Sequence, residues 1–273
     1  MGRILGITAS AKKKIIIQSG VIVSDPDAQS FVNNAAITVQ AQGNAVNDLT
    51  ISLKAQNLWS KLIVYNPKVG GTAASHKLNL KDPRNLDLAY RYFYGGAWIH
   101  SASGAKANGT NAYANTYCNL STLGLVGNFS FGYYITVAST LFGDKHSMGA
   151  YSSSNNWIGI QHNFSTELLG MAYGNTGLSL IIPLPNNEFF AMTVNGTVKK
   201  IYHKNLISTG TINGTALPNL NLYEGALNVN NTYYNGLDAT YGSSFIATGL
   251  TDAEIASLKS IITTFETALG RNV

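Results

Sequence analysis

The sequence predicts a mainly β protein: an antiparallel sandwich or jelly roll, preceded by a small helical and extended N-terminal module and closed by a C-terminal amphipathic helix. Three observations carry this reading. Between about Arg84 and Thr248, short apolar runs with a period near two recur, among them NFSFGYYITVAS, WIGIQHNF and EFFAMTVNGTVKKIYH. That period sends alternate side chains to opposite faces of a strand. Asn-Gly pairs at Asn108, Asn195, Asn213 and Asn235 punctuate these runs, and such pairs adopt the positive φ that tight hairpins need. Helical periodicity is confined to the two ends of the chain.

The elements follow in order. Residues 1–24 read as an extended arm, in which IIIQSGVIVS forms one or two short strands because β-branched residues favour the pleated backbone. SDPDAQSFVNNA starts a short helix, with Ser24 or Asp25 as N-cap and Pro26 in the first turn. A second helix falls within 38–62. Val46, Leu49 and Leu53 share one face, Leu58, Trp59 and Leu62 continue the stripe, and Gly43 divides a turn from the helix. NPKVGG breaks the pattern, and a linker is expected near Gly70–Pro83. Residues 25–83 thus form a helical anchoring module with its linker, and residues 84–273 the sandwich. Within the sandwich, Asn195–Gly196 marks the clearest hairpin. The closing helix, 251–269, has a capping box of Thr251 and Glu254. Its apolar face runs through Ile255, Leu258, Ile261, Ile262, Phe265 and Leu269, and Gly270 is its stop.

Charged residues make up 11% of the chain, against about 25% in an average globular protein. Asn, Thr, Ser and Gly take their place, a composition that suits secreted, adhesive or virion proteins. Residues 1–91 hold eleven Lys or Arg against five Asp or Glu, and the remainder seven against eight. A basic N-terminal segment on a neutral body points to docking through that segment, with Arg3, Lys12, Lys13 and Lys14 as the anchoring residues. The single cysteine, Cys118, excludes an intrachain disulfide and reads as a buried thiol. With neither a signal-peptide core nor an apolar run of membrane-spanning length, the chain is expected to be soluble and made in a host cytoplasm.

Signatures of catalysis are absent: no Gly-x-Ser-x-Gly elbow, Walker loop, HExxH or dinucleotide fingerprint. DPDAQS fails as a calcium loop, because Gln29 and Ser30 stand where a ligand and the turn glycine belong. His76, His100, His146, His162 and His203 show no metal-ligand spacing. The expectation is therefore a chain that is not an enzyme and takes no cofactor or metal. Aromatic side chains are the functional resource instead, since sugar rings stack on their faces while amides bond the hydroxyls. Two clusters stand out as glycan-binding candidates: Tyr151, Asn155, Asn156 and Trp157 in AYSSSNNWIG, and Tyr233, Tyr234 and Asn235 in NNTYYNG.

Four segments carry a family resemblance. LKAQNLWSKL with YNPKVGG, then HKLNLKDPRNLDLAYR, then GGAWIHSASGAKANGTNAYANT, and finally SFIATGLTDAEIASLKSIITTFETALGR occur in this order. Across residues 45–271 the chain resembles bacteriophage virion structural proteins with a concanavalin A-like (laminin G-like) lectin/glucanase domain, as found in phages of Bacteroidota hosts. The resemblance implies a concanavalin A-like jelly roll of two antiparallel sheets, with Trp98 packing inward in its first hairpin. It also implies a virion component: a capsid decoration, head fibre, or tail or baseplate part. The Glu-x-Asp-x-Glu strand of the enzymatic superfamily members is missing, as are convincing calcium-binding acids. The expected function is attachment to host-surface glycans, with many copies or a homo-oligomer supplying avidity. Other virion proteins would be partners through the N-terminal segment, with no nucleic-acid or membrane partner. A purely structural cement protein is the rival reading. A polysaccharide depolymerase using Glu188 and Glu224 is the third.

Overall fold

The computed structural model describes residues 20–141, 143–164, 167–172, 177–181, 187–214 and 216–272. The anchoring residues Arg3, Lys12, Lys13 and Lys14 lie outside them. The expected fold class holds: among the described residues, two sheets of eight and nine strands form a jelly-roll sandwich, and helices cover one sheet.

The helix-covered sheet contains β1 (Leu62–Asn66), β3 (Trp98–Ser101), β4 (Gly104–Ala107), β6 (Asn128–Val137), β11 (Glu188–Asn195), β12 (Val198–His203), β13 (Leu206–Thr211) and β17 (Thr240–Ala247). Its order is β13-β12-β11-β6-β17-β4-β3, and β1 also pairs with β17. The second, open sheet contains β2 (Phe93–Gly95), β5 (Tyr113–Asn115), β7 (Lys145–Ser153), β8 (Asn156–Phe164), β9 (Glu167–Ala172), β10 (Gly177–Ile181) and β14 (Tyr223–Glu224). These run β10-β9-β8-β7-β14-β5-β2, while β15 (Leu227–Val229) and β16 (Thr232–Tyr234) join at β7. Among the described strand pairs, β15 against β7 is the parallel one.

Alternation along β6 explains the layers. Phe129, Phe131, Tyr133 and Ile135 face the open sheet and meet Ile158 and Ile160. Tyr134 points the other way, into a cluster with Phe189, Phe245 and the helices. A strand covered on both faces reads as a nearly continuous apolar run, which is what NFSFGYYITV is. Each fully buried aromatic here contributes about 1.5–3 kcal/mol of transfer free energy.

The helices are α1 (Pro26–Asn34), α2 (Gln40–Ala55), the short α3 (Ala73–His76) and α4 (Asp252–Ala268). Asp25 caps α1: its Oδ1 accepts from the N–H groups of Asp27 (3.0 Å) and Ala28 (3.2 Å). Thr251 and Glu254 form the capping box of α4, and Gly270, at φ +67°, ends it. Leu258, Ile262 and Phe265 of α4 are buried against the sheet, together with Leu49 and Leu53 of α2. The Asn195–Gly196 hairpin joins β11 to β12, with Gly196 at φ +60°.

Three expectations are corrected. Gly43 lies inside α2 and divides nothing; it is small because Val21 crosses there, and an added Cβ would fall 2.3 Å from Val21 Cγ1. The Leu58–Trp59–Leu62 stripe is not helical. Asn57 enters the left-handed region at φ +56°, which stops the helix, and Leu62 opens β1. The stretch expected as a linker is packed: Val69, Leu78 and Leu80 are buried. Buried Asn79 accepts from the Tyr65 N–H (3.0 Å) and donates to the Ala89 carbonyl (3.1 Å). Residues 25–83 thus share one core with the sandwich. Arg271 ties the far end of the chain to them, donating to the carbonyls of Lys68 (3.0 Å) and Pro67 (3.2 Å) while its Nε meets Glu266 at 2.7 Å.

Candidate functional site

The outer face of the open sheet carries the site. Along β8, Ile158 and Ile160 point into the core, so Trp157, Gly159 and Gln161 alternate to the opposite face. Gly149 of β7 lies directly across from Gly159. Both glycines are buried. A Cβ on Gly149 would meet the Ile158 carbonyl at 2.6 Å and Leu227 Cδ1 at 2.9 Å, and one on Gly159 would lie 3.2 Å from Trp157 Nε1. The missing side chains thus let Leu227 and the indole nitrogen pack directly on the backbone.

Beside the indole is a cleft of about 340 Å³. Tyr151 and Trp157 form one wall, their rings edge to face at 6.0 Å. Tyr234 stands opposite, 43% exposed. His146 lies between, its ring centroid 5.8 Å from both Trp157 and Tyr234. Leu227 and Val229 of β15 add the apolar side, and Asp144 the polar rim.

The segment after β16 is stitched to β7. The His146 N–H donates to the Asn235 carbonyl at 2.8 Å. The Tyr234 hydroxyl and the Asn235 amide both donate to Asp144 Oδ2, at 3.4 Å each. His146 Nε2 lies 3.3 Å from Asp144 Oδ1, which also accepts from the Gln161 amide. The hydrogen bond from His146 is the largest influence on Asp144 and holds its carboxyl below the usual carboxylate range, although burial opposes it. The Asp144 charge raises the Tyr234 phenol in turn. Trp157 Nε1 and His146 Nδ1, both sealed from solvent, have no hydrogen-bond partner.

Behind the cleft, in the core, the Tyr133 hydroxyl bridges Ser147 Oγ and His162 Nε2, the latter at 3.0 Å. Burial pushes His162 down to about 3, with smaller contributions from the His146 and His203 charges.

The fold thus joins the two aromatic clusters that the sequence presents separately. Tyr151, Trp157 and Tyr234 line one cleft, and Asn235 anchors its rim. Tyr233 turns away: its hydroxyl accepts from the Gly236 N–H at 2.8 Å. Asn155 sits exposed in the β7–β8 turn, and the Asn156 amide faces the Ala216 carbonyl at 3.2 Å. The sequence assigns no binding role to Asp144 or His146, which line the cleft. The spacing of Asp144 and His146, two apart, was the available signal, because strand alternation places such a pair on one face.

Other candidates resolve differently. Glu188 and Glu224 lie in different sheets. Glu188 pairs with Lys204 at 2.8 Å, and Glu224 is sealed against Lys68. Cys118 is buried, its thiol pushed up to about 12 by burial. No group of three or more His, Cys, Asp or Glu side chains is placed to hold a metal among the described residues.

No family model matches this chain, and no curated protein matches it. Solved structures do. A mutant of Trypanosoma rangeli sialidase displaying trans-sialidase activity matches with a TM-score of 0.55 and 10% identity, over 81% of this chain and 39% of that one. A mutant NanB sialidase from Streptococcus pneumoniae matches with a TM-score of 0.44 and 12% identity, over 59% of this chain and 27% of that one. The CBM40 of a Ruminococcus gnavus IT-sialidase, bound to α2,3-sialyllactose, matches with a TM-score of 0.43 and 8% identity, over 62% and 94%. This chain therefore spans well under half of the sialidase chains. The first match shows a shared fold. The expectation that the chain is not an enzyme is corrected here: the structure that shares its fold is a sialidase displaying trans-sialidase activity, an enzyme. Membership of this fold gives no ground for setting catalysis aside.

Proposed function

We propose that this chain is a glycan-binding β-sandwich protein whose ligand site is the cleft of Tyr151, Trp157 and Tyr234. One observation carries the reading: aromatic residues from two stretches far apart in sequence, Tyr151 with Trp157 and Tyr234, line a single cleft. Aromatic faces supply the stacking surface for a sugar ring.

The setting proposed for this activity is the surface of a phage particle, where the chain attaches virions to host-surface glycans. The four-segment resemblance to phage structural proteins supports it, as does the low charge content. The basic residues Arg3 and Lys12–Lys14 would dock on other virion proteins, and multiple copies would raise a weak single-site affinity through avidity.

The test is a glycan array probed with labelled wild-type protein and Trp157→Ala, followed by binding to Bacteroidota cells before and after periodate oxidation. Wild-type binding that periodate abolishes, and that falls at least tenfold in the variant, supports the proposal. Wild-type protein that binds neither array nor cells refutes it.

A further inference from the structure

We infer that the cleft selects an uncharged, hydroxyl-bearing sugar face and rejects acidic sugars; this rests on reading the cleft as a glycan site.

Charge sets this selection. Asp144 is the charged side chain among the residues lining the cleft, and no Lys or Arg lines it. The groups around Asp144 are His146, Gln161, Tyr234 and Asn235, so no lysine or arginine neutralises the carboxylate. Half of it is exposed, 49%, and it stands at the rim that a ligand must pass. A sugar carboxylate entering there would meet a like charge with no lysine or arginine lining the cleft to offset it. A neutral ring would stack on Tyr151 and Trp157 and use the rim only for hydroxyl contacts.

The experiment is a set of titrations of the full chain and of Asp144→Asn on an array pairing neutral oligosaccharides with acidic counterparts, lactose with 3′-sialyllactose among them. The expected result is binding of neutral members, with acidic counterparts weaker by about tenfold, and a narrowing of that gap in Asp144→Asn as the repulsion is removed. Acidic counterparts that bind wild-type protein as well as or better than neutral ones overturn the inference and leave the glycan site standing. A gap that is unchanged in Asp144→Asn overturns the electrostatic basis. Binding of no sugar of either class removes the glycan reading and this inference together.

Discussion

Lys68 Nζ and Glu224 Oε1 meet at 2.9 Å with neither side chain exposed to solvent. Lys68 follows β1 in the helix-covered sheet and Glu224 lies on β14 in the open sheet, so the pair spans the sandwich. Ser244 completes it, accepting from Lys68 at 3.0 Å and donating to Glu224 at 3.2 Å. Burial pushes Lys68 down and Glu224 up, and each is opposed by the other's charge. Lys68→Met should cost about 3–5 kcal/mol, because it strands a buried carboxylate. Lys68→Met with Glu224→Gln should recover most of that loss. Urea denaturation measures both, and a single variant within 1 kcal/mol of wild type would refute the account.

Acid should destabilise the fold through its buried histidines. His162 titrates near 6.5 in an unfolded chain and about 3 when folded. Between those values the unfolded chain binds a proton that the folded chain refuses. Stability is therefore full above pH 6.5 and falls toward pH 3, by up to about 1.4 kcal/mol per unit for one such group. His203, lowered to about 4, acts in the same direction. His162→Gln should flatten the stability profile between pH 6 and 4, read from denaturation midpoints across that range; an unchanged slope counts against the buried neutral imidazole.

Gly159→Ala tests the seat of the Trp157 indole. The new Cβ would lie 3.2 Å from both the Met148 carbonyl and Trp157 Nε1, so the indole must shift by a few tenths of an ångström. Sugar affinity should fall several-fold, with a melting temperature within a few degrees of wild type. Undiminished affinity would show that the ligand does not depend on the placement of this ring.

Thr251→Ala removes the α4 capping box. Thr251 Oγ1 accepts from the Glu254 N–H at 3.3 Å, and Glu254 Oε2 accepts from the Thr251 N–H at 2.9 Å. The loss should be about 1 kcal/mol, with sugar binding untouched, because α4 covers the sheet that does not carry the cleft. Thermal melts and a single titration read both quantities.

What the sequence makes legible here is local. Thr251 with Glu254, Asp25 before Pro26, and Asn195–Gly196 each specify their turn or cap through atoms a few residues apart, and the structure keeps all three. Where the reading fails, a distant contact or one backbone angle decides. The stripe to Leu62 has helical spacing, yet the left-handed Asn57 ends the helix first. Nothing near Lys68 in the sequence announces its burial; its partner Glu224 comes from another sheet. The cleft follows the same rule. Tyr151 and Trp157 were visible as an aromatic pair, but their union with Tyr234 depends on the stitch of Asn235 to Asp144, ninety-one residues away. Asp144 and His146 show only their two-residue spacing, which does not say what side chains meet them.

The position of β17 has a consequence for the order in which the chain takes shape during synthesis. β17 comes last of the strands, yet it lies beside β6 and also holds β1 and β4. A ribosome delivers those three strands long before their common partner exists. β1 waits with no sheet to join, and β6 waits with an open flank that includes Phe131 and Tyr133. Pairings between such distant residues close slowly, so completion of the sandwich is a late event that takes in the first helices and the last together. A nascent chain halted at Ala239 would expose a long apolar strand edge, the kind of surface that seeks another copy of itself.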